Sequence, residues 1–290
     1  MTTQVAPPVW AEAQDALRDM VGRLTAMMRA IPDSTAGGVG QWSVAEVAMH
    51  LSQAWIAVPG LARGDISEIY QVVPSAAATP GDSLIGDVWE LGEATKQGVA
   101  SDQERNVRVL ADRIDARAAA FFADAQGKSA DQPRPWLVAG ITVPRWVLTC
   151  HLLNETIVHG YDMAKAAGVK WKIDRPYAAI VLRGFIVQVI NALEPHAMVD
   201  QAEAAGLHAR YDLRLRGNER VTFVFQDGAL HIEGPASERV DCHISADPAA
   251  LLLVTWARKS QWSAIARGQL LAWGRKPWLG PKFRSLMRNP

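Results

Sequence analysis

The segment that most constrains the fold runs from Thr142 to Val169, with the sequence TVPRWVLTCHLLNETIVHGYDMAKAAGV. It has the pattern of one long helix. Thr142 is a candidate N-cap, Pro144 suits the first turn because its missing N–H has no intrahelical partner there, and Gly168 is a candidate end. The sequence therefore predicts a helix over 142–169.

Three groups that bind protons or metals lie inside this helix. His151, Glu155 and His159 are spaced four apart, and a helix turns about 100° per residue, so their side chains form one polar stripe. Polar side chains that face a core need partners, and a divalent metal satisfies histidine together with glutamate. The stripe therefore predicts a buried metal site. The apolar surface around it consists of Trp146, Val147, Cys150, Leu153, Ile157, Val158 and Tyr161.

A second helix is predicted within QWSVAEVAMHLSQAW. Ser43 and Glu46 have the spacing of a capping box, and Trp42 stands where it can staple onto Val47. His50 then lies on the apolar face of this helix. A single histidine there is more often a core residue bonded to a carbonyl than a ligand. Glu155 and His159 of the stripe need a third partner, however, so His50 is the predicted third ligand.

The remaining N-terminal part is predicted to form helices around this pair. Helical periodicity is found over 8–31, 83–99, 101–125 and 176–193. Residues 56–83 contain several prolines and glycines, so we predict an irregular segment, either a lid over a pocket or a surface excursion. Residues 126–135 are predicted to form a polar turn. The expected result is an antiparallel helical bundle in whose core His50 meets Glu155 and His159.

The pattern changes after residue 195. Short alternating segments predict strands at 211–215, 221–225, 230–233 and 240–245. The Asp-Gly pair at 227–228 is typical of a hairpin turn, and helices are predicted from residue 247 and over 268–273. This part reads as a small α+β unit, so the predicted domains are 1–195 and 196–290.

Composition limits the classes of binding partner that we expect. The 30 basic and 30 acidic residues give a formal charge of +0, so no electrostatic argument favours nucleic acid or an anionic membrane, and neither is predicted as a partner. Although 49% of the residues are apolar, no run approaches the roughly 20 apolar residues that span a bilayer. The start, MTTQVAPPVWAEAQD, lacks a signal-peptide pattern, which predicts a cytoplasmic location. Cys150 and Cys242 form no disulfide framework.

Two groups of motifs carry a family resemblance. QWSVAEVAMHL and NETIVHGYDMAKAAG resemble the mycothiol-dependent maleylpyruvate isomerases, which belong to the wider DinB-like metal-binding bundles. FQDGALHIEG, DPAALLLVTWARKS and RGQLLAWGRKPW resemble the sterol-carrier-protein-like domain that accompanies that bundle. The resemblance implies an N-terminal all-α DinB-like helical bundle followed by a small α+β sterol-carrier-like domain.

The resemblance also implies a ligand set. The metal ligands of the family fall on His50, Glu155 and His159, and the implied metal is Zn²⁺ or another divalent ion. Two histidines and one carboxylate with an open fourth position make a catalytic set. Asp162 is a candidate to orient His159, with a local salt bridge or hydrogen bond as the alternative. His151 is a candidate to hydrogen-bond a metal ligand or to contact the substrate, with a core or surface histidine as the alternative.

In the family, the open metal position takes the thiol of mycothiol, which is deprotonated there. The resemblance implies that this thiol attacks a small electrophile and is either expelled again, as in an isomerase, or kept, as in an S-transferase. An arginine of the C-terminal domain is expected to bind substrate carboxylates, because arginine offers two parallel hydrogen bonds. Arg258 is the first candidate and Arg275 the second, with a solvated surface charge as the alternative for either.

Two other interpretations compete with the enzyme. One is a non-catalytic carrier of an apolar ligand (a lipid or sterol) with a vestigial metal site, and the other is a structural protein with a satisfied polar core. The tail beyond Arg258 is longer than expected of the isomerases. The tryptophans from residue 256 onward are candidates to line an apolar pocket; they are Trp256, Trp262, Trp273 and Trp278.

Overall fold

The computed structural model describes residues 7–72, 85–217, 220–236 and 239–288. The chain divides into two compact units between Lys172 and Ile173. This division precedes the predicted domain change at 195/196, since the helical segment before that change groups with the sheet that follows it. Asn191 explains the grouping: its Nδ2 donates to the Ile232 carbonyl at 2.7 Å, and its Oδ1 accepts from the Ile232 N–H at 2.8 Å.

The N-terminal unit is helical. Its helices are α1 (Trp10–Ala30), α2 (Val44–Arg63), α3 (Ser67–Val72), α4 (Leu91–Ser101), α5 (Val107–Asp124) and α6 (Arg145–Ala166). Two short antiparallel pairs accompany them: β1 (Gly37–Val39) with β2 (Trp42–Ser43), and β3 (Pro133–Pro135) with β4 (Thr142–Pro144). Helices α1 and α2 each pack against both α5 and α6, which makes a bundle. The assignment of this bundle to the DinB-like class stays a prediction.

The predicted irregular segment at 56–83 is wrong for its first part. Helix α2 continues through Pro59 to Arg63, and α3 follows at Ser67–Val72. Val58 and Leu61 on either side of Pro59 are fully buried, so packing outweighs the hydrogen bond that proline removes. The helix ends at Gly64, whose φ of 84° is left-handed. The rest of the predicted lid, 73–83, lies outside the described residues.

Two later helices begin after their predicted starts. Helix α4 begins at Leu91 after a 3₁₀ turn at Val88–Glu90, and α5 begins at Val107 rather than 101. The side chain of Asn106 caps α5 by accepting from the Arg108 N–H at 3.1 Å. The six residues before Val107, SDQERN, are all polar, so the apolar period of α5 does not extend through them.

The long helix α6 is shorter than the predicted 142–169 segment. Thr142 does not cap it: Thr142–Pro144 pairs as strand β4 with Pro133–Pro135, and Pro144 occupies the N-cap position. The expected polar turn at 126–135 therefore ends in a strand. Gly168 has a φ of 68°, as expected of a residue just past a helix end.

The C-terminal unit combines helices with a five-stranded sheet. Its helices are α7 (Arg175–Val181), α8 (Val187–Ala192), α9 (Gln201–Ala204), α10 (Pro248–Thr255), α11 (Gln261–Ala266) and α12 (Leu279–Lys282). A π-helical turn at Leu182–Ile186 joins α7 to α8. The strands are β5 (His208–Leu215), β6 (Arg220–Gln226), β7 (Ala229–Glu233), β8 (Cys242–Ala246) and β9 (Leu270–Trp273). They lie in the order β7-β6-β5-β8-β9, with only β5 and β8 parallel.

The sheet confirms the alternation read from the sequence. Asp227 and Gly228, with φ of 50° and 76°, form the turn between β6 and β7. The prediction of a helix over 268–273 is wrong, because Leu270–Trp273 pairs with β8 as the edge strand. Among the described residues, no helix has both the length and the hydropathy needed to cross a bilayer.

Candidate metal centre and apolar cavity

The capping box at the start of α2 positions His50. The Ser43 N–H donates to Glu46 Oε2 at 2.7 Å, and the Glu46 N–H donates to Ser43 Oγ at 3.3 Å, as predicted. The bonds that the Ser43 N–H and the Ser43 hydroxyl donate to the Glu46 carboxylate lower the pKa of Glu46. With the helix start held, His50 projects toward α6. The ring of Trp42 lies 5.6 Å from the His50 ring, so it covers the histidine.

The packing of α2 against α6 brings the three predicted ligands together. His50 Nε2 lies 3.1 Å from Glu155 Oε2, and His159 Nε2 lies 3.4 Å from the same oxygen. One ligand atom from each residue lies within 4.8 Å of the other two. The imidazole planes are nearly perpendicular, at 81°. Two nitrogens and one oxygen therefore converge on one point at the edge of the bundle core.

The groups around this point hold it in place. His159 Nδ1 lies 3.1 Å from Asp162 Oδ2, and Asp162 is buried. Because a carboxylate accepts, Nδ1 carries hydrogen in this pair and the Nε2 side faces Glu155. Asn154 Nδ2 donates to Glu155 Oε1 at 3.1 Å, and His151 Nε2 lies 3.6 Å from that oxygen. His151 is thus a buried neighbour of the carboxylate, with its ring 6.2 Å from that of Trp136.

Asn154 was missed by sequence reasoning. It is adjacent to Glu155 in the chain, and neighbours in a helix point about 100° apart, so the stripe pattern gave it no role. Its burial, at 1% exposed, became visible only in the structure.

The pKa values in the cluster follow from burial and from mutual hydrogen bonding. Burial raises the pKa of Glu155, but hydrogen bonds from His151, His159 and His50 outweigh it and hold the pKa well below its usual value. Burial lowers the pKa of His50. For His159, burial acts to lower the pKa, but the bonds with Asp162 and Glu155 raise it to about 9. An ionised carboxylate thus lies beside imidazoles whose protons a metal can replace.

The donor set fits a divalent ion. Two imidazole nitrogens and one carboxylate oxygen match the three protein ligands of catalytic zinc sites, and also suit other first-row divalent metals. Of the residues the structure describes, His50, Glu155 and His159 are the group of three with this geometry. The Asp162–His159 pair has the carboxylate–histidine arrangement that typically supports such ligands.

The two candidate arginines belong to the C-terminal unit. Arg258 donates from Nη1 to the Trp256 carbonyl at 2.8 Å. Arg275 forms an ion pair with Asp241, whose pKa is raised by burial but lowered overall by the bonds from Arg275, Arg210 and Lys276. The substrate role predicted for Arg258 and Arg275 stays a prediction.

An apolar cavity of about 350 Å³ lies in the C-terminal unit. It is enclosed by the π-helical turn, by the inner face of the sheet and by the segments around α11 and α12. Its apolar walls include Leu182, Val187, Leu213, Phe223, Ile244 and Phe283. The predicted tryptophan lining is wrong, because none of the four tryptophans, Trp256, Trp262, Trp273 and Trp278, is among the residues that line the cavity. The wall formed by residues 182–187 was not anticipated, since that segment was assigned to the first domain.

Comparison with known proteins finds one match to the C-terminal part of the chain and others to nearly its whole length. The sequence profile of the SCP-2 sterol transfer family matches residues 190–274. No curated protein matches the chain. Among solved structures, a mycothiol-dependent maleylpyruvate isomerase is 15% identical, with a TM-score of 0.52 over 94% of this chain and 95% of that one. A histidine-to-alanine mutant of such an isomerase is 16% identical, with the same TM-score and coverage.

A UbiJ-SCP2 ubiquinone synthesis protein is 19% identical over 35% of this chain and 88% of its own, with a TM-score of 0.28 that supports no inference. The resemblance predicted from the two sets of motifs is thus confirmed at the level of the fold. The chain is similar in fold to the mycothiol-dependent maleylpyruvate isomerases over nearly its whole length, and its C-terminal part resembles the SCP-2 sterol transfer family.

Proposed function

We propose that the protein is a metal-dependent enzyme that uses a low-molecular-weight thiol, mycothiol, as cosubstrate. The reaction is an isomerisation or an S-transfer on a small electrophile. The observation that carries this proposal is the convergence of His50, Glu155 and His159, whose ligand atoms lie within 4.8 Å of one another. The similarity in fold to a protein described as mycothiol-dependent supports the choice of thiol.

The three side chains have separate tasks. His50 Nε2, Glu155 Oε2 and His159 Nε2 would hold the ion, which when bound supplies a positive charge that lowers the pKa of a nearby thiol. The two imidazoles come from different helices, so the site is complete only in the folded bundle. Because the protein supplies three ligands, a position is left for the cosubstrate.

The surrounding residues keep the site ready. Asp162 fixes the imidazole of His159, while Asn154 and His151 occupy the Glu155 oxygen that faces away from the two ligand histidines. Glu155 Oε2 is therefore directed at His50 and His159 before any ion binds. Such preorganisation strengthens binding because little side-chain freedom is lost when the ion enters.

Metal analysis of the purified full-length protein tests the first half of the proposal. We expect about one divalent ion per chain in the wild type and almost none after His159→Ala or His50→Ala. His208→Ala is a matched control, because His208 is exposed and pairs only with Asp227 on the β5–β6 side of the other unit. Full occupancy in His159→Ala would contradict the proposal.

A thiol-consumption assay tests the second half. Wild-type protein is incubated with mycothiol and a panel of small electrophiles that includes maleylpyruvate, and the products are followed by mass spectrometry and NMR. We expect turnover that requires both mycothiol and His50. Turnover that is equal in wild type and His50→Ala would show that the cluster is not the active site.

A second candidate function is supported by the cavity and by the SCP-2 match at 190–274. It is carriage of an apolar ligand by the C-terminal unit, because an apolar cavity of about 350 Å³ is within the size range of small-molecule sites. Displacement of a fluorescent fatty acid or sterol from the full-length protein measures it. Ile265→Trp, at the cavity wall, should weaken binding, while His159→Ala should leave it unchanged.

A further inference from the structure

The charge of this chain is distributed unevenly. The whole sequence has a formal charge of +0, which argued against an anionic surface as a partner. Residues 248–290, however, contain eight of the 30 basic residues and none of the 30 acidic residues. The remainder of the chain therefore has eight more acidic than basic residues. Such asymmetry is a recognised sign of binding to a polyanion or to an anionic membrane.

Large apolar side chains are exposed within the same segment. They form a surface that we call the edge surface, and each is between 37% and 63% exposed: Trp262, Ile265, Leu271, Trp273 and Trp278. Of the described residues, only Val9, Val109 and Val169 are other large apolar side chains exposed to this degree. All three tryptophans with such exposure thus belong to the edge surface.

The edge surface is one end of the C-terminal unit. Strand β9 is the outermost strand of the sheet, α11 comes immediately before it, and Trp278 follows it. Gln261, next to Trp262, donates from Nε2 to the Pro281 carbonyl at 3.1 Å, and this bond ties the start of α11 to α12, which begins directly after Trp278. The two most exposed tryptophans are therefore held by one connected substructure.

The apolar cavity reaches the surface at this end. Ile265 and Leu271 both line the cavity and are exposed to solvent. Pro277 and Pro281, which flank Trp278, also line it. An apolar ligand that enters or leaves here passes directly beside the edge surface.

We propose that the edge surface docks the C-terminal unit onto an anionic lipid bilayer. Tryptophan favours the boundary between headgroups and acyl chains, and lysine and arginine are attracted to anionic headgroups by about 1 kcal/mol each. Two of the segment's cations, Arg275 and Lys276, pair with Asp241, while Arg267 and Lys282 are exposed on its surface. A nucleic acid would also attract these cations, but the opening of an apolar cavity among them favours lipid.

Sedimentation with vesicles tests the proposal on the full-length protein. Vesicles of phosphatidylcholine are compared with vesicles that also contain phosphatidylglycerol. We expect binding to the mixed vesicles that weakens as salt is raised, because screening shortens the range of the attraction. Failure to bind mixed vesicles at low salt, or equal binding to neutral vesicles, would overturn the proposal.

Matched variants separate charge from apolar contact. The triple variant K259Q/R267Q/K282Q should reduce partitioning on the order of a hundredfold. The control K96Q/R108Q/K128Q removes three exposed cations from the N-terminal unit and should have little effect. W262S/W278S should also release the protein, while V109S/V169S should not. Equal loss in test and control variants would contradict a role of the edge surface.

Two further measurements identify other occupants. A dimer in sedimentation velocity that W262S/W278S dissolves would assign the surface to a second copy instead, and tighter binding to a homopolymeric RNA than to mixed vesicles would assign it to nucleic acid. Either result overturns the lipid proposal. His159→Ala should bind vesicles like the wild type, so the vesicle experiments test the lipid proposal independently of the metal proposal.

Discussion

Each unit of this protein buries a carboxylate among cationic or potentially cationic partners, but the partners differ. In the N-terminal unit, Glu155 is surrounded by imidazoles of His50, His151 and His159. In the C-terminal unit, Asp212 is fully buried and meets Arg214 at 2.7 Å, Arg220 at 2.8 Å and His243 at 2.6 Å. Both carboxyl groups have a lowered pKa.

The difference between them is whether the partner can give up its proton. Arginine remains protonated in proteins and has no lone pair to offer a metal, so the Asp212 cluster has only Asp212 and His243 as potential ligands, whereas the Glu155 cluster has three converging ones. Histidine can exchange its proton for a metal ion at neutral pH. The same burial and the same lowered pKa therefore indicate a structural cluster in one unit and a candidate metal site in the other.

Removal of metal should have the largest effect and should act on the N-terminal cluster alone. A bound ion at 100 times its dissociation constant stabilises the folded state by about 2.7 kcal/mol. We therefore expect a chelator to lower the Tm of the metal-loaded wild type by several degrees. Glu155→Ala should show no such shift, whereas Asp212→Asn should show the full shift from a lower starting Tm. If a chelator does not change the Tm of the wild type, the Glu155 cluster does not differ from the Asp212 cluster in metal binding.

Asp212→Asn should destabilise the protein without altering metal content. It removes the charge that compensates two guanidinium groups, and breaking a buried pair typically costs about 3–5 kcal/mol. Arg214 and Arg220 are 38% and 41% exposed, so water screens them and we expect about 2–3 kcal/mol. Urea unfolding measures the change. If the variant and the wild type have the same free energy of unfolding, the residues around Asp212, and not its charge, stabilise this part of the protein.

Asp162→Asn should weaken the metal site without abolishing it. Its carboxylate holds His159 Nδ1 at 3.1 Å, and loss of such a supporting group typically lowers metal affinity about 10–100-fold. Competition with a chromophoric chelator measures the affinity. Asp241→Asn is the matched control, because it removes a buried carboxylate that pairs with arginine in the other unit. An unchanged affinity in Asp162→Asn would assign Asp162 to the local helix contact only.

The smallest effect should be the pH dependence of the Asp212 contribution. Burial raises the pKa of Asp212, but bonds from Arg220, Arg214 and His243 outweigh it and lower the pKa overall. Its stabilisation is therefore fully present above the unfolded value of about 3.9 and is lost as pH falls through the folded pKa. The gap in unfolding free energy between wild type and Asp212→Asn should close under acid. A gap of constant size would refute this explanation.

The sequence predicted those parts of the fold and of the site that depend on residues close together in the chain. The capping box of α2 uses Ser43 and Glu46, three residues apart, and the structure forms it. The turn at Asp227 and Gly228 depends on two adjacent residues with positive φ. Such signals are local, because the hydrogen bonds or dihedral angles involved join residues that are already neighbours in the chain.

Other predictions failed where tertiary packing outweighed local preference. Pro59 lies inside α2 because the residues around it are buried, and Leu270–Trp273 is a strand because β8 offers it an edge. The sequence near Pro59 does not show what the helix packs against, and the sequence near Leu270 does not show that β8 lies beside it. The edge surface was likewise hidden, since the whole-chain charge of +0 averages over parts of opposite sign.

By itself, the sequence determined that Glu155 and His159 share one face of a helix, because four residues advance about one turn. Only the tertiary structure decided that His50, 105 residues before Glu155, lies 3.1 Å from it. The packing of α2 on α6 creates that contact. The physical reason is that covalent geometry fixes directions along one helix, whereas the approach of two helices depends on how all of their buried side chains fit together.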